Sequence, residues 1–301
     1  MIKKAWQAHL ALGIVNLIYG ANYVIAKEAT PEYILPFGFI IIRVTVCALL
    51  FTIFHYAFVK EKVEVKDYPK LMVGAFFGVV CNQLMFFKGL SMTSPINASL
   101  IMITTPILVL IISAIVLKEG LTSRKILGIT SGAIGAFLII TFGQRFSLGG
   151  ESSLGDLFIF INAASYAIYL VYIKPLMNKY HPITIIKWVF VFGCLGVWPV
   201  GYNELMQVDW ANLPTYIWAV VFYVVFFSTF LAYSLNISAL KLVNPSIVGI
   251  YIYTQPVIAT LIAVGLGKDS LSVFKLMAAV LIFTGVYLVS FQNGIDRQRK
   301  K

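Results

Sequence analysis

Charge is what this sequence has least of. Charged residues make up 12% of its 301 positions, where a soluble domain carries about a quarter. Together with 60% hydrophobic residues and a mean hydropathy of +0.89, that scarcity excludes a chain that mostly faces water. Acids are rarer than bases: the 12 Asp and Glu residues all fall in loops or at the ends of apolar runs, leaving no carboxylate at mid-membrane depth to carry a proton. The histidines, His9, His55 and His181, also fall near run ends. Cysteine is confined to Cys47, Cys81 and Cys194, each inside an apolar run, and an odd number of buried thiols excludes a disulfide framework. No His/Asp cluster, metal-ligand spacing or phosphate loop lies near the run ends, so an integral membrane enzyme would lack its base, nucleophile or metal. No cofactor is implied.

What fills the chain instead is ten apolar runs, at about residues 8–26, 36–58, 69–88, 95–117, 124–143, 154–173, 183–201, 215–238, 245–266 and 272–291. Each is close to the ~20 residues that cross a bilayer as a helix and too continuous for a barrel strand. The predicted fold is therefore all-α and integral to the membrane, with ten transmembrane helices joined by short loops. The start, "MIKKAWQAHLALGIVNLIYGANYVIA", has the regions of a secretory signal, but Asn16, Tyr19 and Asn22 interrupt its apolar run and nine more runs follow, so it reads as an uncleaved first helix.

The net charge of +11 would suit nucleic acid if it were clustered. With a cytoplasmic N-terminus, sixteen Lys and Arg fall on the inner side, against Lys27, Lys88, Arg145, Lys268 and Lys275 on the outer, with Arg43 and Lys187 inside runs. That is the positive-inside signature of an inner (plasma) membrane protein with both termini cytoplasmic. It excludes nucleic acid as the partner and leaves the lipid bilayer, anionic headgroups included.

The chain also repeats itself. "SPINASLIMITTPILVLIISAIVLKEGLT" (94–122) returns as "NPSIVGIYIYTQPVIATLIAVGLGKDSLS" (244–272), with Ser94/Asn244, Pro95/Pro245, Pro106/Pro256 and Glu119/Asp269 all 150 residues apart. The register continues through "LGITSGAIGAFLII" and "MAAVLIFTGVYLV", setting Gly135 against Gly285. The predicted units are a first five-helix repeat over 1–145, a second over 150–295 and a basic tail over 296–301. Five is odd, so the second copy enters the membrane from the opposite side. Inverted repeats are a recurrent architecture of secondary transporters that work by alternating access. Ser94 and Asn244 suit N-caps ahead of a first-turn proline. Pro106 and Pro256 fall mid-helix, free the carbonyls of Met102 and Ile252, and predict kinks that serve as hinges or only as packing.

The segment "LIMITTPILVLIISAIVLKEGLTSRKILGITSGAIGAFLII" resembles the helix 4 to helix 5 region of EamA-like proteins in the drug/metabolite transporter superfamily. "IYGANYVIAK" (18–27) resembles that family's first-helix motif, with Tyr19 where Trp is common and Asn22 at the Asn position. The resemblance covers nearly the whole chain. It implies a carrier that exports small metabolites such as amino acids, without fixing the substrate.

Polar residues on spans are costly unless they face partners or water. Asn16, Tyr19, Gly20 and Tyr23 share one face of helix 1, with Asn22 beside them, and Asn162, Ser165, Tyr166 and Tyr169 repeat the spacing on helix 6. Both stripes are expected to line a central substrate cavity, hydrogen bonding between helices being the alternative. Asn82 and Gln83 on helix 3, Tyr233 on helix 8, and Tyr251 and Gln255 on helix 9 complete the candidate substrate-binding set. The stripe Tyr223, Phe226, Phe227 and Phe230 reads as core or lipid contact. Arg43, about 10 Å from the outer end of helix 2, suits an anionic group, but snorkelling or bonding to helix carbonyls is favoured. Lys187 is expected to reach the interface, and Glu119 and Asp269 to stabilise turns or pair. Gly128, Gly132 and Gly135 would let helix 5 pack closely within the protomer or across a homodimer.

The absence of a buried acid favours facilitated transport of neutral, zwitterionic or amphipathic small molecules. A proton-coupled multidrug exporter is the alternative, and an integral membrane enzyme or a channel is further from the sequence.

Overall fold

The computed structural model describes residues 5–93, 98, 101–141, 153–265 and 272–299, and of residues 23, 24, 27, 139, 263 and 291–299 the backbone alone. Ser94, Pro95 and Asp269 lie outside the described residues. All regular structure among them is helical. In chain order the helices are α1 (Ala5–Ile25), α2 (Pro36–Val59), α3 (Val65–Met92), α4 (Thr104–Val116), α5 (Ser123–Thr141), α6 (Ser153–Asn178), α7 (Pro182–Met206), α8 (Thr215–Leu242), α9 (Pro245–Ile250, a 3₁₀ turn over Tyr251–Tyr253, then Thr254–Gly265) and α10 (Val273–Arg299). Among the described residues seven helices, α2, α3 and α6 to α10, are long and apolar enough to cross a bilayer, and α4 is a shorter apolar helix. The outer surface carries Leu49, Ile53, Phe58, Ile115, Leu195 and Val280, all exposed. A surface this apolar is stable against lipid rather than water, and the chain is a multi-pass membrane protein.

Helix starts follow local chemistry. Pro36, Pro182 and Pro245 each take the first turn after an extended residue, Leu35, His181 and Asn244, where a missing N–H costs little. The side chain of Asn244 makes no cap bond, contrary to expectation. The backbone does the work instead, Ile247 N–H donating to the Asn244 carbonyl at 3.0 Å. Glu204, near the end of α7, accepts from Phe37 and Gly38 N–H at the start of α2 (2.6 and 3.2 Å). Glu61, just past α2, accepts from His181 N–H ahead of α7 at 2.8 Å. Each helix of this pair thus receives a carboxylate at its positive end from the far end of the other.

Both proline kinks are present. The helix is broken by a turn at Ile103 before Pro106, and by the 3₁₀ turn before Pro256. Thr104 Oγ1 donates to the Ile101 carbonyl and Thr254 Oγ1 to the Tyr251 carbonyl, both at 2.6 Å. These acceptors lie one residue earlier than the carbonyls that proline geometry frees, because a threonine hydroxyl reaches the carbonyl three residues back. Tyr253 Oη then donates across to the Ile103 carbonyl at 2.9 Å. Wide π turns interrupt α3 at Phe76–Val80 and α8 at Tyr223–Leu231.

The helices pack in pairs: α5 on α10, α2 on α7, α3 on α6, α1 on α8, with α4 against α6 and α9 against α1. Glycine sets the first pair. A Cβ on Gly135 would lie 2.6 Å from the Ala278 carbonyl oxygen, and one on Gly285 would lie 2.5 Å from that of Gly128. The close packing expected of Gly128 and Gly135 is therefore made against α10 of the same chain, while Gly132 accommodates the Tyr253 ring. Between α2 and α7 the core is aromatic and aliphatic, with Phe51 edge-on to Phe190 at 5.1 Å.

At one end of the bundle the loop before α3 is clasped to the turn after α6. Lys179 pairs with Asp67 (2.5 Å) and Glu64 (2.7 Å), and Tyr180 Oη donates to Asp67 at 2.8 Å. Lys179 and Lys66 beside Glu64 hold its carboxyl below the usual range, and Asp67 and Glu64 raise Lys179. Lys187 departs from expectation. It is 3% exposed and lies 4.2 Å from the Tyr56 ring centre and 4.6 Å from that of Trp188, so ring faces rather than the interface take its charge. Glu119 pairs with Lys125 at 2.8 Å, both buried.

Candidate functional site

Four tyrosines meet in the interior. Tyr19 of α1, Tyr166 and Tyr169 of α6 and Tyr233 of α8 lie within electrostatic range of one another. The ring of Tyr169 rests where a Cβ on Gly78 would stand, 2.5 Å from its ring carbon, so the glycine of the α3 π turn is what lets that ring in. Tyr166 Oη accepts from Asn236 Nδ2 at 3.0 Å, and Tyr233 meets Phe190 edge-on at 5.1 Å. The ring faces are apolar and the hydroxyls polar, a combination suited to amphipathic ligands.

The amide residues divide. Asn16 donates to the Leu12 carbonyl at 2.8 Å and accepts from Gln255 Nε2 at 2.9 Å, joining α1 to α9. Asn82 and Asn162 exchange bonds with each other's backbone carbonyls (3.4 and 2.6 Å), and Ser165 Oγ donates to the Phe77 carbonyl at 2.6 Å. The predicted α6 stripe therefore splits: Tyr166 and Tyr169 join the cluster, whereas Asn162 and Ser165 bond α3. Helical periodicity groups residues on a face about 100° wide and does not say which neighbour each edge meets. Gln83 is buried with its carboxamide within bonding reach of the Tyr233 hydroxyl. The side-chain oxygens of Asn22, Asn162 and Asn236 are buried and unpartnered. Unsatisfied polar atoms at this density need an explanation. Of Tyr23 only the backbone is described.

Tyr251 stands apart from the tyrosine cluster. Its hydroxyl lies 3.0 Å from His9 Nδ1, and both residues line a 440 Å³ cavity with Phe283, Val286, Tyr287 and Ser290. Gln255, one turn further along α9, lines a separate 290 Å³ cavity with Ile103, Tyr253, Pro256 and Thr260. The 3₁₀ turn Tyr251–Tyr253 therefore adjoins both cavities. Pro106 is buried in α4 and Pro256 borders the smaller cavity. On α8, Phe226 and Phe227 are exposed, while Phe230 packs on Phe51 at 4.8 Å and Tyr223 Oη donates to the Ile18 carbonyl at 3.0 Å, in keeping with core and lipid contact.

Arg43 belongs to this interior and not to the interface. It is 9% exposed, its Nε donates to Thr229 Oγ1 at 3.1 Å, and it lies in electrostatic range of Tyr19 and Tyr233. Snorkelling and carbonyl bonding, favoured from the sequence, are both set aside by the reach of its side chain to α8. Among the described residues, no group of His, Cys, Asp and Glu is arranged to hold a metal ion.

Broken helices around an interior polar cluster are the features by which membrane transporters line and gate a substrate path. Residues 6–141 and 153–291 each match the EamA-like transporter family, and the chain belongs to that family. It is 28% identical over 290 residues to the uncharacterized transporter YyaM of Bacillus subtilis, covering 95% of this chain and 94% of that one. It is 26% identical to the uncharacterized transporter YetK of the same organism (96% and 88% covered), and 25% identical to an uncharacterized transporter of Archaeoglobus fulgidus (95% and 98% covered). A crystal structure 19% identical in sequence superposes with a TM-score of 0.76 over 95% of this chain and 96% of the other, which shows a shared fold.

Proposed function

We propose that the chain is a secondary carrier of small polar metabolites, amino acids or related compounds, built as ten spans in two inverted five-helix repeats (1–145 and 150–295) and working by alternating access. One observation carries the reading: contacts across the interior repeat the 150-residue offset of the sequence. Ser131 Oγ donates to the Leu281 carbonyl at 2.9 Å and Tyr253 Oη to the Ile103 carbonyl at 2.9 Å, each bond joining positions 150 apart. The Gly135–Ala278 approach becomes the Gly285–Gly128 approach under the same shift, as the Thr104–Ile101 bond becomes Thr254–Tyr251. Residues that meet their own counterparts support a two-fold axis between the halves, the geometry that lets two copies exchange conformations.

The kinked α9, with a cavity beside each part of its 3₁₀ turn, supports a hinge at Pro256, and the matching break supports one at Pro106. The tyrosine cluster with Gln83, Asn16 and Gln255 is the proposed substrate site. Export and the amino-acid class are what the resemblance to the drug/metabolite transporter superfamily implies; the inner membrane and cytoplasmic termini are inferred from the positive-inside distribution.

The test is counterflow in proteoliposomes. Vesicles preloaded with an unlabelled amino acid, with no ion gradient, should transiently accumulate the labelled form. Transport that appears only with an imposed proton gradient would favour the coupled exporter. Flux that neither saturates nor shows counterflow would favour a channel.

A further inference from the structure

We propose that Arg43 is the anion-binding residue of the transport site and that the substrate presents it with a carboxylate. The inference rests on reading the tyrosine cluster as that site. An arginine stays charged at any biological pH, and holding that charge inside a membrane protein is expensive unless it has a partner. Here the protein supplies none of opposite sign: among the described residues every ion pair involves other cations, and the one hydrogen bond of Arg43 goes to a neutral hydroxyl.

The tether is itself built. Thr229 spends its own proton on the Val224 carbonyl at 2.8 Å, inside the π turn of α8, leaving a lone pair that fixes Nε. The guanidinium is thereby oriented from α2 onto α8, in electrostatic range of Tyr19 and Tyr233, with its terminal N–H groups uncommitted to any carboxylate among the described residues. That planar pair of donors matches a carboxylate bidentately. Among the described residues the other two buried cations are already engaged, Lys125 with Glu119 and Lys187 with the rings of Tyr56 and Trp188. Arg43 is the one positive charge that the described residues bring to the cluster, which suits a monoanion rather than a phosphate dianion. The tyrosine rings would take the apolar part of the same molecule. The unpartnered oxygen of Asn236, whose amide nitrogen already donates to Tyr166, offers an acceptor for an ammonium or hydroxyl on it.

Matched compounds separate these contributions. For purified full-length protein, thermal stabilisation would be titrated with L-leucine, 4-methylpentanoate (carboxylate without ammonium) and 3-methylbutylamine (ammonium without carboxylate), and with L-phenylalanine, 3-phenylpropanoate and 2-phenylethylamine. The acids and amino acids of at least one set should stabilise the wild type and its amine should not. Arg43→Gln should weaken acid binding by about tenfold or more, and Arg43→Lys by less. The unliganded Arg43→Gln protein should melt at or above the wild type, since it loses an uncompensated buried charge.

The proposal is overturned if the amine binds as well as the acid, if Arg43→Gln keeps acid affinity within about twofold, if no carboxylate stabilises the wild type, or if the unliganded variant melts well below it, which would mark a structural role. Failure of the carrier reading looks different: Arg43-dependent acid binding without counterflow would remove transport and leave the anion site. Counterflow of the amines that ignores Arg43→Gln would do the reverse.

Discussion

Gly135 and Gly285 offer a test in which the sign of a substitution reverses with its surroundings. In an exposed helix, Gly→Ala stabilises by up to about 1 kcal/mol through reduced backbone freedom. Gly13 of α1, with nothing within 4 Å of an added Cβ, should show that gain. At Gly135 the new methyl would stand 2.6 Å from the Ala278 carbonyl oxygen and 3.1 Å from Ile282 N, and at Gly285 it would stand 2.5 Å from the Gly128 carbonyl oxygen and 2.9 Å from Gly132 N, where ordinary contact begins at 3.4 Å. These are backbone atoms of a facing helix, so α5 and α10 must separate by most of an ångström along their seam. Overpacking of this kind costs about 1–3 kcal/mol, and against the propensity gain the net should be about 1–2 kcal/mol destabilising. At roughly 2–4 °C per kcal/mol for a chain of a few hundred residues, each variant should lose about 2–8 °C in a detergent melting assay, while Gly13→Ala holds or gains. The two losses should also be alike, because the contacts are counterparts. Gly135→Ala and Gly285→Ala melting at or above the wild type would refute the reasoning.

Other expectations follow from single contacts. Tyr253→Phe deletes the bond to the Ile103 carbonyl and should cost about 0.5–1.5 kcal/mol in reversible unfolding; no change would mean that the kinks do not depend on it. Glu119→Gln strands Lys125, buried and otherwise bonded to the Gly120 carbonyl, and should cost about 3–5 kcal/mol, with Glu119→Gln/Lys125→Met recovering much of it. His181 titrates outside the spans: its Nδ1 accepts the Ile183 N–H at 3.2 Å, and burial lowers its pKa below the ordinary 6.5. The folded chain then binds fewer protons than the unfolded one, so this contribution is complete above about pH 6.5 and declines as pH falls through the folded value. Relative to His181→Asn, which caps without titrating, the wild type should therefore lose melting temperature between about pH 7 and pH 5; parallel curves would contradict this.

Much of the fold is legible in the sequence because burial in lipid imposes long apolar runs, and because a duplication leaves its register in prolines and glycines whose roles are geometric. Pro36, Pro182 and Pro245 mark helix starts, and Pro106 and Pro256 mark breaks, by what proline cannot do. The site is less legible. Tyr19, Tyr166, Tyr169 and Tyr233 come together as their faces suggest, but Asn162 and Ser165 share a stripe with Tyr166 and turn to α3, and Tyr251 turns to His9. Arg43 and Lys187 mislead for a common reason: a long side chain ends several ångströms from its own backbone, and its endpoint depends on which helix lies opposite. The π turn that carries Thr229 to Arg43 has no sequence signature, since it differs from an α turn by a shift in hydrogen-bond register.

The central claim is that substrate is held by the tyrosine cluster between α1, α6 and α8. Counterflow of radiolabelled amino acids into proteoliposomes without an ion gradient, compared for the wild type, Tyr19→Ala and Tyr166→Ala, tests it most directly. The account predicts saturable counterflow in the wild type and its loss in both variants at unchanged reconstitution. Counterflow that survives in both variants with its apparent affinity intact would place the site elsewhere and contradict it.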